Sequence, residues 1–209
     1  MEYFKVVLEA YHRWGISVRK EFPNGDPVDI WAYSRGQILD NPRPVPIEVG
    51  AGGPIVDYNP TAFCTTVVSH RTAEIITSVA GSDIQRIPTD FPDGDGEWEV
   101  INVLPTIDCI DHERSVIQYY PPDHPEKPNK PRGVVKLIID RDRVGGHHIF
   151  RPKDWTVINI ISETLRQRLD EAKVTGVEYW PVTEPGKSPS LRAAINACDL
   201  PQGGGGFLQ

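Results

Sequence analysis

Two stretches of the chain share one pattern, and this repeat constrains the fold more than any other feature. The first stretch covers residues 67–89, and the second covers residues 160–182, which lie 93 positions further along the chain. Between their ends, apolar residues of one copy align with apolar residues of the other. Such a repeat predicts a scaffold of two related halves. The residues identical in both copies are Ser69 with Ser162 and Pro88 with Pro181.

Each copy predicts a strand, a helix and a second strand. In the second copy, residues 156–161 form a β-branched, mostly apolar run that favours a strand. Ser162 follows as a preferred N-cap, because its hydroxyl can accept a hydrogen bond from an amide of the first turn; Ser69 is the corresponding cap. Gly176 comes just after the helix, where a left-handed residue is common. The predicted core-facing stripes are Leu165, Leu169 and Ala172 in the second copy and Ala73, Ile76 and Val79 or Ala80 in the first.

The pattern extends upstream if one residue of slip is allowed. Tyr58-x-Pro60 then aligns with Phe150-x-Pro152, at a shift of 92 positions. The alternative explanation is two ordinary α/β units in one domain, because any two such units share apolar positions. Local rules predict further strands at residues 98–104 and 133–139 and a strand beginning near Lys5. They also predict a helix over residues 188–195, with a serine cap and a proline in its first turn.

A proline-rich segment separates the two copies. Five of residues 121–131 are proline, so we expect the segment to be extended and exposed, as a connector or a long surface loop. A recognition segment for an aromatic groove is the alternative. We predict an α+β fold, a mixed β-sheet scaffold of two related strand–helix–strand units with the helices packed on the sheet. The predicted organisation is a single domain over residues 1–209, with possible halves 1–120 and 133–200 joined by the connector 121–132.

Composition narrows the class of protein. The chain has 29 acidic and 22 basic residues and a net charge of −7, so we expect no nucleic-acid partner, because phosphate contacts need clustered cations. The charge favours a basic partner, or it simply keeps the protein soluble. No apolar run approaches the roughly 20 residues of a membrane helix, and residues 1–5 do not resemble a secretory signal. Three cysteines, Cys64, Cys109 and Cys198, favour small core residues in a reducing compartment, the cytoplasm.

Two groups of residues could hold a divalent ion or supply a general base. They are Asp108, Asp111, His112 and Glu113 in the first group, and His147 and His148 beside Asp140 and Asp142 in the second. Adjacent histidines on a strand point apart, and the first group suits a solvated turn equally well. We therefore favour turn and packing roles, and we predict no catalytic residue, no metal and no cofactor.

An acidic run surrounds a glycine-rich turn. Asp93-Gly94-Asp95-Gly96 lacks the third oxygen ligand and the closing glutamate of a calcium loop, so a hairpin turn is the better interpretation. A solvated face is the default for such a run. It is also the first place to expect contact with a basic partner. The candidate partner-binding residues are Asp93, Asp95, Glu97 and Glu99, with Asp90 beside them.

The order and spacing of several short motifs resemble a family of bacterial immunity proteins that accompany polymorphic toxins. The signature of that family looks like I-F-R, a short gap, a strand ending in S-E, a helix, and T-G-V-x-x-x-P-V. The C-terminal motifs here are Gly146-His147-His148-Ile149-Phe150-Arg151, Trp155, Ile161-Ser162-Glu163, Thr175-Gly176-Val177 and Pro181-Val182. The central ones are Asn102-Val103-Leu104, Asp108-Cys109-Ile110-Asp111 and Arg114-Ser115.

The resemblance covers roughly residues 65–182 and implies a function. It implies a protein that binds and neutralises a cognate toxin stoichiometrically, without catalysis, and it carries over no catalytic or contact residues. The acidic charge fits a basic toxin such as a nuclease. A small metal-dependent hydrolase that uses the Asp108–Glu113 group or the histidine pair is the alternative, and a housekeeping interaction module is a third. The sequence leaves the oligomeric state open.

Overall fold

The fold is known from a computed structural model, which describes residues 1–8 and 14–183. The predicted helix at residues 188–195 and Cys198 lie outside the described residues. Within them, helix α1 spans His70–Ala80 and helix α2 spans Glu163–Glu171. The strands are β1 (Tyr3–Leu8), β2 (Gly15–Val18), β3 (Val45–Ala51), β4 (Tyr58–Pro60), β5 (Thr66–Ser69), β6 (Ile84–Asp90), β7 (Trp98–Val103), β8 (Thr106–Ile107), β9 (Val116–Tyr119), β10 (Pro131–Lys136), β11 (Ile149–Pro152), β12 (Ile160–Ser162) and β13 (Val177–Pro181). Short 3₁₀ helices occur at Ala32–Ser34, Ala62–Cys64, Gly81–Asp83 and Arg141–Arg143.

Two mixed sheets and one separate hairpin make up the β structure. The six-stranded sheet has the order β2-β3-β6-β7-β5-β4, and the five-stranded sheet has the order β13-β1-β12-β11-β8. Strand β3 runs parallel to β6 and β8 runs parallel to β11, whereas the other neighbours are antiparallel. Strands β9 and β10 form the hairpin. The prediction of an α+β fold with mixed sheets is confirmed. None of the helices in the described residues is long and apolar enough to cross a membrane.

The two copies of the sequence repeat form units of the same topology. In the first unit, β5 and β6 flank β7, and in the second unit β12 and β13 flank β1. The registers also agree, because Val67 and Ile87 both lie opposite Val100, and their counterparts Ile160 and Trp180 both lie opposite Lys5. In the first unit the middle strand, β7, follows the rest of the unit along the chain. In the second unit the middle strand, β1, comes from the start of the chain.

Upstream of the two copies, the alignment of β4 with β11 slips by two residues relative to the repeat, rather than by the one residue that the sequence predicts. Tyr58 lies opposite Val68, and Ile149 lies opposite Ile161. Because Val68 and Ile161 are equivalent in the repeat, Tyr58 corresponds to Ile149 rather than to Phe150. The shift between β4 and β11 is therefore 91 positions. The predicted strand at residues 156–161 is also shorter than expected, since β12 begins only at Ile160.

The helices lie where the two units meet. A core cluster combines residues of both sheets with the predicted stripes of both helices, and α1 contacts α2. The stripe residues buried in this cluster are Ala73, Ile76, Ala80, Leu165 and Leu169. A second cluster covers the other face of the six-stranded sheet and includes Trp14, Tyr33 and Trp98. A third covers the other face of the five-stranded sheet and includes Cys109, Phe150 and Trp155.

The proline-rich segment forms the loop of the β9–β10 hairpin. It is exposed as predicted, but it is folded by turns rather than extended, with the amide of His124 donating to Pro121 O and that of Lys130 donating to Lys127 O. Strand β1, from the predicted first half, pairs with β12 and β13 of the second. The division into halves 1–120 and 133–200 stays a prediction.

The ends of the two helices differ from the expectation in two ways. Ser162 Oγ accepts a hydrogen bond from the Leu165 amide at 3.2 Å, so the predicted cap is confirmed there. Ser69 occupies the N-cap position of α1, but its hydroxyl makes no hydrogen bond to a helix amide. The first left-handed residue after α2 is Lys173, at φ 53°, and Gly176, at φ 91°, lies further on, directly before β13.

Candidate functional site

The acidic turn, residues 90–97, connects β6 to β7. Asp93, Asp95 and Glu97 are exposed on it. The backbone of the turn is held by a side chain, because the indole Nε1 of Trp98 donates to the backbone oxygen of Asp95 at 3.1 Å. At Gly94, a Cβ atom would meet Phe91 Cδ1 at 2.6 Å, so this position has no room for a side chain. Three of the four candidate carboxylates are therefore held together on one rigid, solvent-exposed turn.

Glu99, the fourth candidate, has a different environment. Its side chain is only 12% exposed and accepts hydrogen bonds from Arg86 Nε at 2.6 Å and from the His70 ring, whose Nδ1 lies 2.8 Å away. Burial alone would raise the pKa of Glu99, but the bonds from Arg86 and His70 outweigh it and lower this pKa. Arg86 is also paired with Glu74. Glu99 thus belongs to an ion cluster that holds α1 on the sheet.

Arg151 of the I-F-R motif is a structural residue. It is 1% exposed, and its guanidinium donates to Thr156 O at 2.7 Å and to Cys64 O at 3.0 Å. The second bond reaches from the five-stranded sheet to the turn before β5. In that turn Phe63 and Cys64 both have left-handed backbones, with φ 63° and 61°, a conformation that costs non-glycine residues roughly 1–2 kcal/mol each. Arg151 therefore stabilises a strained connection in the other unit.

The first junction between the units consists of Asp57, Ser69, Arg71 and Thr175. The Asp57 carboxylate accepts from Ser69 Oγ at 2.9 Å, from Arg71 Nε at 2.8 Å, and from the amide and hydroxyl of Thr175 at 3.1 and 2.9 Å. Burial alone would raise the pKa of Asp57, but these bonds lower it to about 2. Arg71 also donates to the carbonyl of Ala172 at the end of α2.

Gly176 of the T-G-V motif allows this junction to close. Its φ is 91°, and a Cβ atom would lie 2.6 Å from Tyr58 O and 2.7 Å from Val56 Cγ2. The amide of Tyr58 donates to Thr175 O at 3.1 Å. Glycine is required because the two backbones approach too closely for any side chain. The T-G-V motif is thus a docking element between the units.

The second junction consists of Asp83, His147, His148 and Ser162. Here the cap serine belongs to the second unit and the residue bound across the junction, Asp83, belongs to the first. Asp83, after α1, binds His147 Nδ1 at 2.6 Å and accepts from the His148 amide at 2.9 Å. Ser162 Oγ lies 2.8 Å from His148 Nδ1, and its amide donates to His148 O. The histidines of the hydrolase hypothesis are therefore engaged in contacts between the units.

Residues of the other hydrolase group are engaged in a turn. The Asp111 carboxylate accepts from the amides of Glu113 and Arg114 and from Arg114 Nε, and these bonds lower the pKa of Asp111, that from the Arg114 amide most. His112 Nδ1 lies 2.9 Å from the Tyr119 hydroxyl, and Asp108 pairs with Lys153 at 3.4 Å. Within residues 1–8 and 14–183, no group of three or more His, Cys, Asp or Glu residues is arranged to hold a metal ion.

The two described cysteines are both buried. Cys64 lies in the left-handed turn, and Cys109 lies in the third core cluster. Burial, with the nearby charge of Asp108, raises the pKa of Cys109 to about 12. A thiol with this pKa is protonated at neutral pH and is a poor nucleophile.

Sequence reasoning missed Asp57 and the exposed side of the β9–β10 hairpin. Asp57 gives no local signal, because its partners lie 12 to 118 positions away. On the hairpin, Val116, Tyr119 and Val135 are 52%, 45% and 41% exposed. The pattern of residues 133–139 predicts a strand, and only the structure shows that its first part leaves the core.

The Imm11 immunity protein family matches residues 17–184. No curated protein matches the chain. Because the family match covers most of the chain, it shows that the chain belongs to the Imm11 immunity protein family.

Proposed function

From this membership we propose that the protein neutralises a cognate bacterial toxin by binding it stoichiometrically, without chemistry of its own. The observation that carries the proposal is the family match over residues 17–184, since an immunity protein implies a toxin partner. Residues of both groups in the hydrolase hypothesis have structural roles instead. His147 and His148 serve the second junction, and Asp111 serves a turn. No observation favours a hydrolase.

We further propose that the toxin is basic, as a nuclease with a phosphate-binding cleft would be, and that the acidic turn contacts it. Asp93, Asp95 and Glu97 are exposed on a turn whose backbone is fixed. The whole chain carries a net charge of −7, which steers a cationic partner toward it. Charged residues at the rim of an interface act mainly on the association rate and its salt dependence. Glu99 is left out of this surface because Arg86 already neutralises it.

The experiment pairs the protein with the toxin domain encoded beside its gene. Cells that express the toxin are expected to survive only when this protein is co-expressed, and purified toxin is expected to bind it at a ratio of one to one. If the wild-type protein neither rescues the cells nor binds the toxin, the proposed function is wrong.

A set of charge reversals tests the acidic turn. We expect Asp93→Lys with Asp95→Lys and Glu97→Lys to slow association at least tenfold, and the loss is expected to shrink at high salt because screening weakens the attraction. The matched control reverses three exposed carboxylates elsewhere, Asp40→Lys, Asp142→Lys and Glu171→Lys, with the same change in net charge. Equal association rates for the two triple variants would remove the acidic turn from the interface and leave toxin binding itself intact.

A further inference from the structure

The β9–β10 hairpin has an inner side that belongs to the core and an outer side that does not. Ile117 and Val134 lie opposite each other and pack on the third core cluster. Among the described residues, β9 and β10 pair only with each other, and a two-stranded hairpin is marginally stable without further packing. We call residues 116–136 the hairpin arm. Its large apolar side chains that are exposed to solvent are Val116, Tyr119 and Val135.

Two irregularities turn side chains of β10 outward. The pairing register shifts between Pro131 and Gly133 and again between Val134 and Lys136. Arg132 and Val135 are therefore extra residues, each opposite no residue of its own on β9, as in a β-bulge. Bulges re-aim side chains and are common beside binding sites. Both bulged residues are exposed, and Val135 lies next to Lys136, which pairs with Val116.

The arm has the opposite charge balance to the rest of the chain. Residues 116–136 contain four Lys or Arg and two Asp or Glu, whereas the whole chain contains 22 and 29. Lys127 and Arg132 both lie over the Tyr120 ring, 5.9 and 6.0 Å from its centroid. Residues 90–99 contain five acidic residues and no basic one. The molecule thus has an acidic turn at one place and a cationic arm with an apolar centre at another.

The arm is held in place at its base. Ser115 Oγ donates to Ile138 O at 3.0 Å and accepts from the Ile138 amide at 2.9 Å. Lys130 pairs with Asp154 at 3.1 Å, and the Tyr119 hydroxyl binds His112. A surface fixed before binding loses less conformational entropy when a partner docks.

We propose that the hairpin arm is a second docking surface for the toxin and that it receives an acidic, apolar-centred surface of that protein. The inference rests on the proposed function. An acidic surface is repelled by a chain of net charge −7 and is attracted at the arm, which carries more Lys and Arg than Asp and Glu and exposes three apolar side chains.

The test uses the full chain and the toxin domain encoded beside its gene. Lys127→Glu with Arg132→Glu and Lys136→Glu is expected to weaken binding at least tenfold. The control variant, Lys20→Glu with Arg141→Glu and Arg168→Glu, reverses three exposed cations elsewhere with the same change in net charge. We expect it to weaken binding less than threefold. Equal effects of the two variants would overturn the proposal.

A second variant tests the apolar centre. Val116→Ser with Val135→Ser keeps the charge and leaves Ile117 and Val134 in the core, so we expect unchanged far-UV circular dichroism and at least tenfold weaker toxin binding. Sedimentation of the wild-type protein without toxin tests the other occupant, a second copy of the chain. A dimer that this variant dissociates, with toxin binding unchanged, would overturn the proposal. If the wild-type protein does not bind the toxin at all, the proposed function fails together with this inference.

Discussion

At both junctions the cap serine contacts one upstream residue through its amide and through its hydroxyl, but that residue differs between the junctions. Ser69 donates its amide and its hydroxyl to Asp57, and Ser162 donates its amide to His148 O and has its hydroxyl 2.8 Å from His148 Nδ1. At the first junction the partner is a carboxylate that also binds Arg71 and Thr175. At the second junction the carboxylate is that of Asp83, which lies in the first unit, whereas Ser162 and His148 lie in the second.

The difference indicates that equivalent positions in the two units contribute differently to the stability of the fold. Asp57 accepts hydrogen bonds from Ser69 at the start of α1 and from Thr175 shortly before β13, and its partner Arg71 also binds the end of α2. The contacts of the second junction are divided between His147 and His148. We therefore expect the first junction to carry more of the stability than the second.

The largest effect is expected at the glycine that closes the first junction. Gly176→Ala adds a Cβ atom 2.6 Å from a backbone oxygen at φ 91°, so we expect a loss of about 4 kcal/mol in the free energy of unfolding, from backbone strain and overpacking. Gly96→Ala is the control, since Gly96 has φ 83° but open space around it, and about 1 kcal/mol is expected there. Urea denaturation of both variants measures the difference. Equal losses would mean that strain alone matters at Gly176.

Removal of the two carboxylates compares the junctions directly. Asp57→Ala is expected to lower the free energy of unfolding by about 3 kcal/mol, because several hydrogen bonds to a charged group are lost. Asp83→Ala is expected to cost about 2 kcal/mol, since Asp83 has fewer such partners. Chemical denaturation at neutral pH tests the order. A larger loss at Asp83 would reverse the comparison.

Acid should weaken the first junction through Asp57. Its pKa is 3.8 in the unfolded reference and about 2 in the fold, so its contribution is complete above the unfolded value and disappears as the pH falls through the folded value. The shift corresponds to about 2 kcal/mol. We expect the stability difference between the wild type and Asp57→Asn to shrink by this amount between pH 6 and pH 2. A difference that does not change with pH would mean that Asp57 has an ordinary pKa.

The smallest difference is expected between the two serines. Ser162→Ala removes a helix cap as well as the bond to His148, so we expect a loss of about 1–2 kcal/mol. Ser69→Ala removes one of several bonds to Asp57 and no cap, and we expect less than about 1 kcal/mol. Thermal unfolding of the two variants, each compared with the wild type, measures this contrast. Equal losses would indicate that both serines cap their helices.

Much of the local structure could be predicted from the sequence. The repeat predicts both strand–helix–strand units and the buried stripes of α1 and α2, since helical spacing depends only on neighbours within a few positions. The turn at Asp93–Gly96 follows from its glycines. The acidic turn as a partner-binding site stays a prediction, and it has lost Glu99 to the Arg86 ion pair, which joins residues 13 positions apart.

The errors share one cause, which is long-range pairing. Phe150-Arg151 and Thr175-Gly176-Val177 are recognisable in the sequence, but their role in joining the units depends on Cys64 and Asp57, about 87 and 118 positions away. Residues 133–139 have the composition of a core strand, yet β10 has only β9 as its partner among the described residues.

The sequence by itself determined the family, the two units and the helix faces, because these depend on short motifs and on local periodicity. Only the tertiary structure decided that β1, from the start of the chain, completes the second unit as β7 completes the first. It also decided that Asp57 and Asp83 join the units and that the hairpin arm faces solvent. The physical reason is that a strand edge or a carboxylate accepts any partner of suitable geometry, and the partner that reaches it is selected by the packing of the whole chain.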